Sequence, residues 1–387
     1  MTVRLTVDRA AWMAHLRSTA AAYGDGMVPV VKGNGYGFGR PLLHDLLTGD
    51  LLARDTATGD PGTGDTGTGD AATRPGMVCV GTVHEVHDVP AASTPVVLTP
   101  TLTAPGDSRA VLTVGSIDHV HALAGWHGSV IVKLASSMRR YGATPDELGP
   151  LLAAVTAAGL QLEAFGVHLP LAGNDTARLA EIRAWLPHLP PDAHLWVSHL
   201  EPSSFEQLRG AHPTRRFRVR IGTALWHGVP RRGFLHLSAD VLQLQQVRAG
   251  DTAGYFHSPV RHDGTLVVIG AGSTHGVAAP PPSPSGPLHS AGAATASPFH
   301  FARHPLPLLE RPHMHTSLAV VPNGQPCPRV GDRVDVQRPL ISTVSAFRRA
   351  STPAEPTANN ATDTMRNHCS GIEWTGAAAV EDALDGR

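Results

Sequence analysis

Eight short runs rich in β-branched residues alternate with helix-like stretches along the first part of the sequence. These runs lie at residues 28–31, 77–80, 95–98, 110–114, 129–133, 164–168, 194–198 and 216–221. Most are followed by an amphipathic stretch, such as residues 84–89 or 204–209. Eight strand–helix units are what a (β/α)8 barrel requires. The alternative is an open, doubly wound sheet of eight strands, but no GxGxxG sequence follows the first run to support it.

The pattern changes after Trp226, where helical periodicity gives way to strands separated by Gly, Pro and Asp turns. The strands expected here lie at residues 241–247, 266–269, 317–321 and 333–336. Short strands at close spacing are typical of all-β domains. The sequence therefore predicts an α/β fold, with a (β/α)8 barrel over residues 1–231 followed by a smaller all-β domain over residues 232–347.

Three stretches lack the apolar residues that a folded core needs. Residues 54–75 repeat Thr-Gly-Asp and contain no apolar side chain larger than alanine, apart from proline. Residues 278–298 are rich in Pro, Ser and Ala, and residues 348–387 show little periodicity. Such segments bury too little apolar surface to offset the entropy of ordering the chain. We expect the first two to be flexible insertions and the third to be a disordered tail.

The charge balance narrows the class of partner. The 387 residues include 31 Lys and Arg against 32 Asp and Glu, a formal net charge of −1. Binding to nucleic acid rests on an excess of basic residues facing phosphates, so no nucleic-acid partner is expected. The sequence shows no signal-peptide core and no apolar run of membrane-spanning length. We therefore expect a cytoplasmic protein that does not bind membranes.

Cysteine and histidine do not form an evident metal site. The 3 cysteines are scattered and form no CxxC pair, which argues against a disulfide framework or a thiolate zinc site. His313 and His315 form an HxH pair on what we expect to be a strand. No cysteine or carboxylate completes a ligand set beside them, so surface or hydrogen-bonded histidines are the favoured interpretation.

Lys32 is the first candidate for chemistry. It lies at the carboxyl end of the first predicted strand, the end where a barrel places its active site, and glycines follow it at positions 33, 35, 37 and 39. A lysine that emerges from an apolar strand is partly desolvated, which lowers its pKa and favours imine formation. Taken alone, the position favours a structural lysine whose stem packs on the strand end.

Four segments, in this order along the chain, resemble the alanine racemase family of pyridoxal-phosphate enzymes: VVKGNGYGFG, KLASSMRRYG, SHLEPSS and RIGTALWHG. The resemblance implies pyridoxal 5'-phosphate as cofactor, held on a (β/α)8 barrel. In the first segment it makes Lys32 the imine-forming lysine and Tyr36 a contact to the cofactor phosphate. In the second, Lys133 matches the carbamylated lysine of the family, and Arg140 matches the arginine that this lysine orients beside the cofactor and the substrate carboxylate.

The last two segments supply the remaining cofactor contacts that the resemblance implies. His199 and Ser203 match a histidine and a phosphate-binding serine at a strand end. Arg220 matches the arginine that holds the cofactor ring nitrogen unprotonated, and Gly222 and Thr223 match the phosphate-contacting backbone after it. Related barrel decarboxylases have a glutamate in the role of Arg220, so this residue favours racemase chemistry.

The region expected to form the β domain departs from the family. Racemisation needs two acid/base groups on opposite faces of the reacting carbon. The family supplies the second as a tyrosine contributed across a dimer interface, but Ala271 occupies the matching position in IGAGSTHG. His275 lies close by in sequence, and an imidazole titrates near neutral pH, so it is the candidate replacement. A turn histidine without this role is the alternative.

Three further positions differ from the family. In FGVHLPLAG, His168 stands two residues before the position of the family's cofactor-proximal histidine, and Pro170 fills that position. In RPHMHTS, Met314 matches a methionine near the substrate carboxylate, and His315 replaces an acid. We keep His168 as a cofactor-binding candidate and Met314 as a substrate-binding candidate. No counterpart of the family's carboxyl-terminal phosphate-binding tyrosine is evident.

Three functions remain open from these residues. The first is an amino-acid racemase that acts on alanine or a related small amino acid and produces the D-enantiomer, with Lys32 and His275 as opposed bases in a homodimer. The second is a one-sided lyase or decarboxylase on the same fold, working from Lys32 alone. The third is a catalytically weak protein that binds the cofactor, which the joint retention of Lys32, Tyr36, Lys133, Arg140 and Arg220 disfavours.

Overall fold

The computed structural model describes residues 2–49, 76–228, 233–278 and 297–337, together with the backbone of residues 371–375. The expected insertion at 54–75 and most of that at 278–298 lie outside these residues. The strands are, in chain order, β1 Val3–Asp8, β2 Met27–Pro29, β3 Gly76–Val80, β4 Ser93–Val97, β5 Val111–Val114, β6 Ser129–Lys133, β7 Gln161–Gly166, β8 Leu195–Ser198, β9 Phe217–Ile221, β10 Leu235–Val247, β11 Thr252–Ala253, β12 Ser258–Pro259, β13 Gly264–Ile269, β14 Phe299–Phe301, β15 His304–Pro305, β16 Ser317–Pro322, β17 Arg333–Val336 and β18 Gly371–Thr375. The α-helices are α1 Arg9–Tyr23, α2 Arg40–Thr48, α3 Ile117–His121, α4 Pro145–Ala157, α5 Asp175–Trp185, α6 Pro202–Ala211 and α7 Thr223–Trp226.

The strands β2 to β9 form one parallel sheet in the order β2-β9-β8-β7-β6-β5-β4-β3. A parallel bridge between Val30 and Cys79 joins the two ends, and the Val31 N–H donates to the Cys79 carbonyl at 2.7 Å. The sheet therefore closes into the (β/α)8 barrel that the sequence predicts. Each of the eight predicted runs overlaps one barrel strand.

The barrel strands and their helices follow from the local sequence. Strands β5 and β8 are buried at every position, as expected for strands covered on both faces. Helix α4 buries Leu148, Leu151 and Val155, which lie on one face at helical spacing. Its amino end is fixed because the Glu147 carboxylate accepts a hydrogen bond from the Thr144 N–H at 2.9 Å. Such helices pack their apolar face on the barrel and leave the strand ends open.

The second sheet is built around β10, which pairs antiparallel with β1, β13 and β17. Strand β16 extends it on β13, and β14 extends it on β17. The amino-terminal strand β1 thus belongs to this sheet, whereas the sequence analysis assigned residues 1–231 to the barrel. The reason is visible in VRLTVD, where Val3, Leu5 and Val7 are buried and alternate with polar residues. That alternation is typical of an antiparallel strand with one wet face, not of a barrel strand.

The described residues divide into two compact units. One contains residues 14–35 and 40–228, and the other contains residues 1–13, 36–39 and the described part of 229–387. Strand β18 pairs parallel with β1, so residues 371–375 are ordered in strand form within the region where the sequence predicts a disordered tail. The other residues from 348 onward lie outside the described part of the chain. No helix within the described ranges is both long and apolar enough to cross a membrane.

The barrel closure generates a stability prediction. Trp226 is fully buried, and its indole N–H donates to the Val30 carbonyl at 2.8 Å beside the closing bridge. Both Trp226→Phe and the matched variant Trp126→Phe should lower the free energy of unfolding. The loss should be about 1–3 kcal/mol larger for Trp226→Phe, because this change leaves the buried Val30 carbonyl unpaired. The Trp126 indole N–H is also buried but has no hydrogen-bond partner among the described residues. Urea denaturation of both variants measures the difference, and equal losses would contradict the prediction.

Candidate active site

Four basic side chains meet at the carboxyl ends of the barrel strands. Lys32 follows β2, Lys133 ends β6, Arg140 lies in the loop after β6, and Arg220 lies near the end of β9. The positive charges of Arg140 and Arg220 lower the pKa of both lysines, in addition to the effect of burial. All four groups are therefore within electrostatic reach of one another. In barrels of this kind, the carboxyl ends of the strands carry the active site.

Lys32 and Lys133 are the only lysines in the whole sequence. All the other residues in the Lys and Arg count are arginines. An arginine supplies charge but not a deprotonatable amine, because its guanidinium stays protonated. Both lysines of the sequence thus lie at the barrel mouth. The sequence analysis missed this signal, although a count of lysines alone would have found it.

Lys133 is almost fully buried, with 4% of its surface exposed. Burial, followed by the charges of Arg220 and Arg140, holds its pKa well below the ordinary value for lysine. The Ala143 N–H donates to its backbone carbonyl at 2.9 Å and fixes the loop that carries Arg140. A neutral amine at this position can act as a nucleophile.

Lys32 is exposed to solvent on one side and desolvated by the barrel wall on the other. This partial desolvation lowers its pKa, and Arg140 and Arg220 lower it further, while Cys79 and Glu85 oppose the shift. Both lysines thus favour the neutral form that imine chemistry requires.

Arg220 is anchored inside the barrel by backbone carbonyls. Its Nη2 donates to the Val167 carbonyl at 2.7 Å, and its Nε donates to the Val197 carbonyl at 3.4 Å. The same Nη2 lies 3.5 Å from Nδ1 of His168. No carboxylate takes part in these contacts, so the positive charge of the guanidinium is not neutralised by them.

His168 and His199 extend this arrangement across the barrel mouth. Ser198 Oγ accepts from the Leu169 N–H at 3.1 Å and lies 2.9 Å from His168 Nδ1, so its own proton is available for that nitrogen. Burial, then the charge of Arg220, lowers the pKa of His168 to about 2. The ring of His199 lies 4.9 Å from that of His168, and burial lowers its pKa to about 4. Both rings are neutral at physiological pH.

Ser203, Gly222 and Thr223 lie at helix amino ends. Ser203 is in the first turn of α6, whose capping position is Glu201, and Gly222 directly precedes Thr223, the first residue of α7. A first helical turn presents N–H groups without intrahelical partners, which favours anions. Each barrel residue proposed from the sequence therefore lies on a strand or in the segment that follows one.

Four neighbours of the site were not foreseen. Cys79 is fully buried, and desolvation raises the pKa of its thiol to about 12. Tyr141 lies under the guanidinium of Arg140, 4.5 Å from its ring centre, and donates to the Leu98 carbonyl at 3.3 Å. Glu85 accepts from the backbone after Lys32 at 3.3 Å. Ser198 is the fourth. Cys79 and Ser198 could have been suspected because both lie in predicted strands.

The other compact unit contains the remaining candidates. Ala271 is fully buried, and its carbonyl accepts from Ser317 Oγ at 2.7 Å. Nδ1 of His275 accepts from the Gly272 N–H at 3.1 Å. Met314 is exposed, and its carbonyl accepts from the Thr274 N–H at 3.0 Å. The space at position 271 is thus filled by packed backbone and a small side chain.

The same unit contains three further residues that the sequence singles out, His313, His315 and Tyr36. His313 and His315 lie in the turn before β16 and not on a strand. His315 Nδ1 lies 3.2 Å from the Thr274 hydroxyl, and its ring centre lies 6.0 Å from that of His275. Tyr36 is buried and has a φ of 56°, a left-handed backbone conformation.

The barrel residues fit an anionic cofactor. Four basic groups lie close together, and Glu85 is the one carboxylate among the groups that shift the pKa of Lys32 or Lys133 in the described part of the chain. Uncompensated charges of one sign repel each other, and a bound phosphate or carboxylate relieves that repulsion. Pyridoxal phosphate carries a phosphate and an aldehyde that an amine can attack, so both the charges and the lysines suit it.

The neutral state of His168 predicts a pH effect on stability. Because its pKa falls from 6.5 to about 2 in the folded state, the unfolded chain binds more protons below pH 6.5, and stability is lost as pH falls below that value. His168→Gln should reduce the loss between pH 7 and 5 by up to about 1 kcal/mol per pH unit. Urea denaturation at several pH values measures this, with the exposed His262→Gln as control. An unchanged slope in His168→Gln would contradict the assignment.

The comparisons with known proteins give a sequence match over part of the barrel and a shared fold. Residues 71–230 match the family model described as the alanine racemase N-terminal domain, whereas no curated protein matches the chain. The chain is similar to the structure of alanine racemase from Bartonella henselae with covalently bound pyridoxal phosphate, at 19% identity and a TM-score of 0.60, over 88% of this chain and 91% of that one. The biosynthetic alanine racemase from Pseudomonas aeruginosa matches at 18% identity and a TM-score of 0.61, over 89% and 97%.

A third solved structure, alanine racemase from Bacillus anthracis with bound L-Ala-P, matches at 17% identity and a TM-score of 0.60, over 87% of this chain and 85% of that one. The TM-scores show that the chain shares the fold of these alanine racemases, and the family model adds a sequence match across seven of the eight barrel strands. The resemblance predicted from the four segments is confirmed at the level of the fold and of the barrel sequence in residues 71–230.

Proposed function

We propose that the protein is a pyridoxal-phosphate-dependent amino-acid racemase that interconverts the L- and D-forms of alanine or a related small amino acid. The observation that carries the proposal is the pair of lysines with lowered pKa values in a cluster of uncompensated positive charge. When bound, pyridoxal phosphate withdraws electrons from the α-carbon of an attached amino acid and makes its proton easier to remove.

Lys32 is the proposed attachment point and the base on one face of the substrate. Its lowered pKa favours the neutral amine that attacks an aldehyde and accepts a proton. The glycines after it leave the approach to the amine free of side chains.

Arg220 is proposed to face the cofactor ring nitrogen. Its bonds to the Val167 and Val197 carbonyls hold the guanidinium in place. A permanent positive charge there disfavours protonation of the nitrogen, which moderates electron withdrawal. Moderate withdrawal suits proton exchange at the α-carbon better than decarboxylation, and His168, which is neutral, does not add a competing charge.

Lys133 and Arg140 are proposed to bind the substrate carboxylate and the cofactor hydroxyl. The neutral Lys133 amine is the form that adds carbon dioxide, giving a carbamate and releasing one proton. A carbamate would place negative charge among Lys32, Arg140 and Arg220 and would orient Arg140. Tyr36, His199, Ser203, Gly222 and Thr223 are the proposed additional cofactor contacts, and Met314 is the proposed contact near the substrate carboxylate.

His275 is the proposed base on the second face, in a cytoplasmic homodimer. Its Nδ1 accepts from the Gly272 N–H, which places the proton of the neutral ring on Nε2, the nitrogen proposed to exchange the catalytic proton. A one-sided lyase or decarboxylase is the second candidate, and the observation that favours it is the fully buried Ala271 in place of an acid/base side chain.

A labelling experiment tests the cofactor lysine. The full-length protein incubated with pyridoxal phosphate and reduced with borohydride should carry the pyridoxyl group on Lys32, because this amine has a lowered pKa and is exposed to solvent. Peptide mapping by mass spectrometry locates the label. The control variant Lys32→Ala should not be labelled, and Lys133 serves as the internal comparison. Label on Lys133 in the wild-type protein would refute the assignment of Lys32.

Proton exchange tests the two-base mechanism. In heavy water, both L- and D-alanine should exchange the α-proton, as followed by NMR, because each face has its own base. His275→Ala should abolish exchange of one enantiomer and spare the other, and the exposed His262→Ala should behave as wild type. Exchange of a single enantiomer by the wild-type protein would instead favour the one-sided enzyme.

A further inference from the structure

The backbone directly after Lys32 is held by side chains from two neighbouring elements, α2 and the 3-10 helix Val83–Asp88. We propose that Arg40 and Asp88, together with Glu85, are positioning residues that fix the Lys32 amine at the barrel mouth. The proposal rests on the function proposed above for Lys32, and it concerns residues that touch neither substrate nor cofactor.

Both polar groups of Gly33 are engaged. Its N–H donates to Glu85 Oε1 at 3.3 Å, and its carbonyl accepts from the guanidinium of Arg40. The second carboxylate oxygen of Glu85 accepts from the Gly81 N–H at 2.7 Å, just past the end of β3. Glu85 therefore links the loop after β2 to the end of the adjacent barrel strand.

Arg40 is itself fixed by Asp88. Its Nε donates to Asp88 Oδ2 at 2.6 Å, and the side chains are only 25% and 21% exposed. A guanidinium has five donors in a planar fork, so it can hold a carboxylate and a carbonyl together. His44, one turn further along α2, stays neutral because burial lowers its pKa to about 4, so it adds no charge beside the pair.

Before Lys32 in the chain, strand contacts hold the backbone in the same way. The Val31 N–H donates to the Cys79 carbonyl at 2.7 Å, and the Trp226 indole holds the Val30 carbonyl. Gly33 and Gly35 have φ values of 62° and 63° and no side chains, so the loop itself provides little stiffness. The Gly35 N–H donates to the Lys32 carbonyl at 3.1 Å, and the side-chain contacts to Gly33 add to this turn in fixing the outgoing backbone.

Release of the Gly33 backbone should change the pKa of Lys32. The groups that act on its charge are Arg140, Arg220, Cys79 and Glu85, and the largest effect is desolvation. A mobile loop lets the amine spend more time in water and farther from the two arginines. Its pKa then moves back toward the ordinary value, and its reaction with electrophiles at neutral pH slows.

The test is competitive acetylation of the full-length, cofactor-free chain with trace acetic anhydride, quantified by mass spectrometry from pH 7 to 10. Only two lysines are present, so each is followed separately. Arg40→Met and Asp88→Asn should each lower the rate at Lys32 by about threefold at pH 8, which corresponds to a pKa rise of about half a unit. The exposed Asp45→Asn, on the same helix, should match the wild type.

Acetylation of Lys133 distinguishes a loss of positioning at Lys32 from a general destabilisation of the barrel. Because Lys133 is buried, a variant that merely destabilises the barrel would expose it and raise its labelling, whereas loss of positioning leaves it unchanged. Unchanged labelling of Lys32 in folded variants, or a parallel change at both lysines, would overturn the proposal. Should Arg40→Met fail to fold, the smaller change Asp88→Asn decides.

The result is independent of the proposed function. Acetic anhydride reacts with any neutral amine, so the positioning of Lys32 is measured whether or not pyridoxal phosphate binds there. Absence of a pyridoxyl group on Lys32 after borohydride reduction would refute the cofactor assignment while leaving the acetylation result to judge Arg40 and Asp88.

Discussion

The mutual repulsion of four basic groups at one end of the barrel is the constraint on which the site depends. Lys32, Lys133, Arg140 and Arg220 each shift the pKa of a neighbour, and carboxylates contribute little among the described residues. Folding must hold these charges together, which costs free energy in the absence of an anion. Packing and backbone hydrogen bonds in the closed barrel offset this free energy. A bound phosphate or carboxylate would lower the repulsion itself.

The same repulsion influences which groups of the site hold a proton. Lys133 is almost completely removed from water, so the barrel selects its neutral form, and Arg220 keeps its charge because guanidinium is too basic to lose a proton. His168 then stays neutral beside Arg220. Two permanent charges, on Arg140 and Arg220, and three titratable neighbours, Lys32, Lys133 and His168, thus form a single pattern, in which the two lysines have lowered pKa values beside two fixed cations.

The barrel could be predicted from the sequence because its strands are short apolar runs, and their order fixes which ends meet. The predicted runs 129–133 and 216–221 contain Lys133 and Arg220, so the sequence places both residues on barrel strands. Strand β1 was not placed correctly, because its alternating pattern marks an antiparallel partner that lies more than 200 residues away in β10. The contact of Arg220 with His168 depends on side-chain direction across the barrel, which strand periodicity does not specify.

The two units also differ in how their candidates are held. Lys133 ends a strand and Arg220 lies within one, and both strands are paired on each side, so their backbone positions are determined by the whole barrel. Ala271 and His275 lie in a turn, where one residue can change without moving a sheet. A departure at position 271 therefore leaves the barrel strands unchanged. In the proposed racemase, Ala271 has no acid/base group, so the second base has to be a different side chain. On that proposal, the identity of the second base, more than the barrel, governs whether proton exchange becomes racemisation.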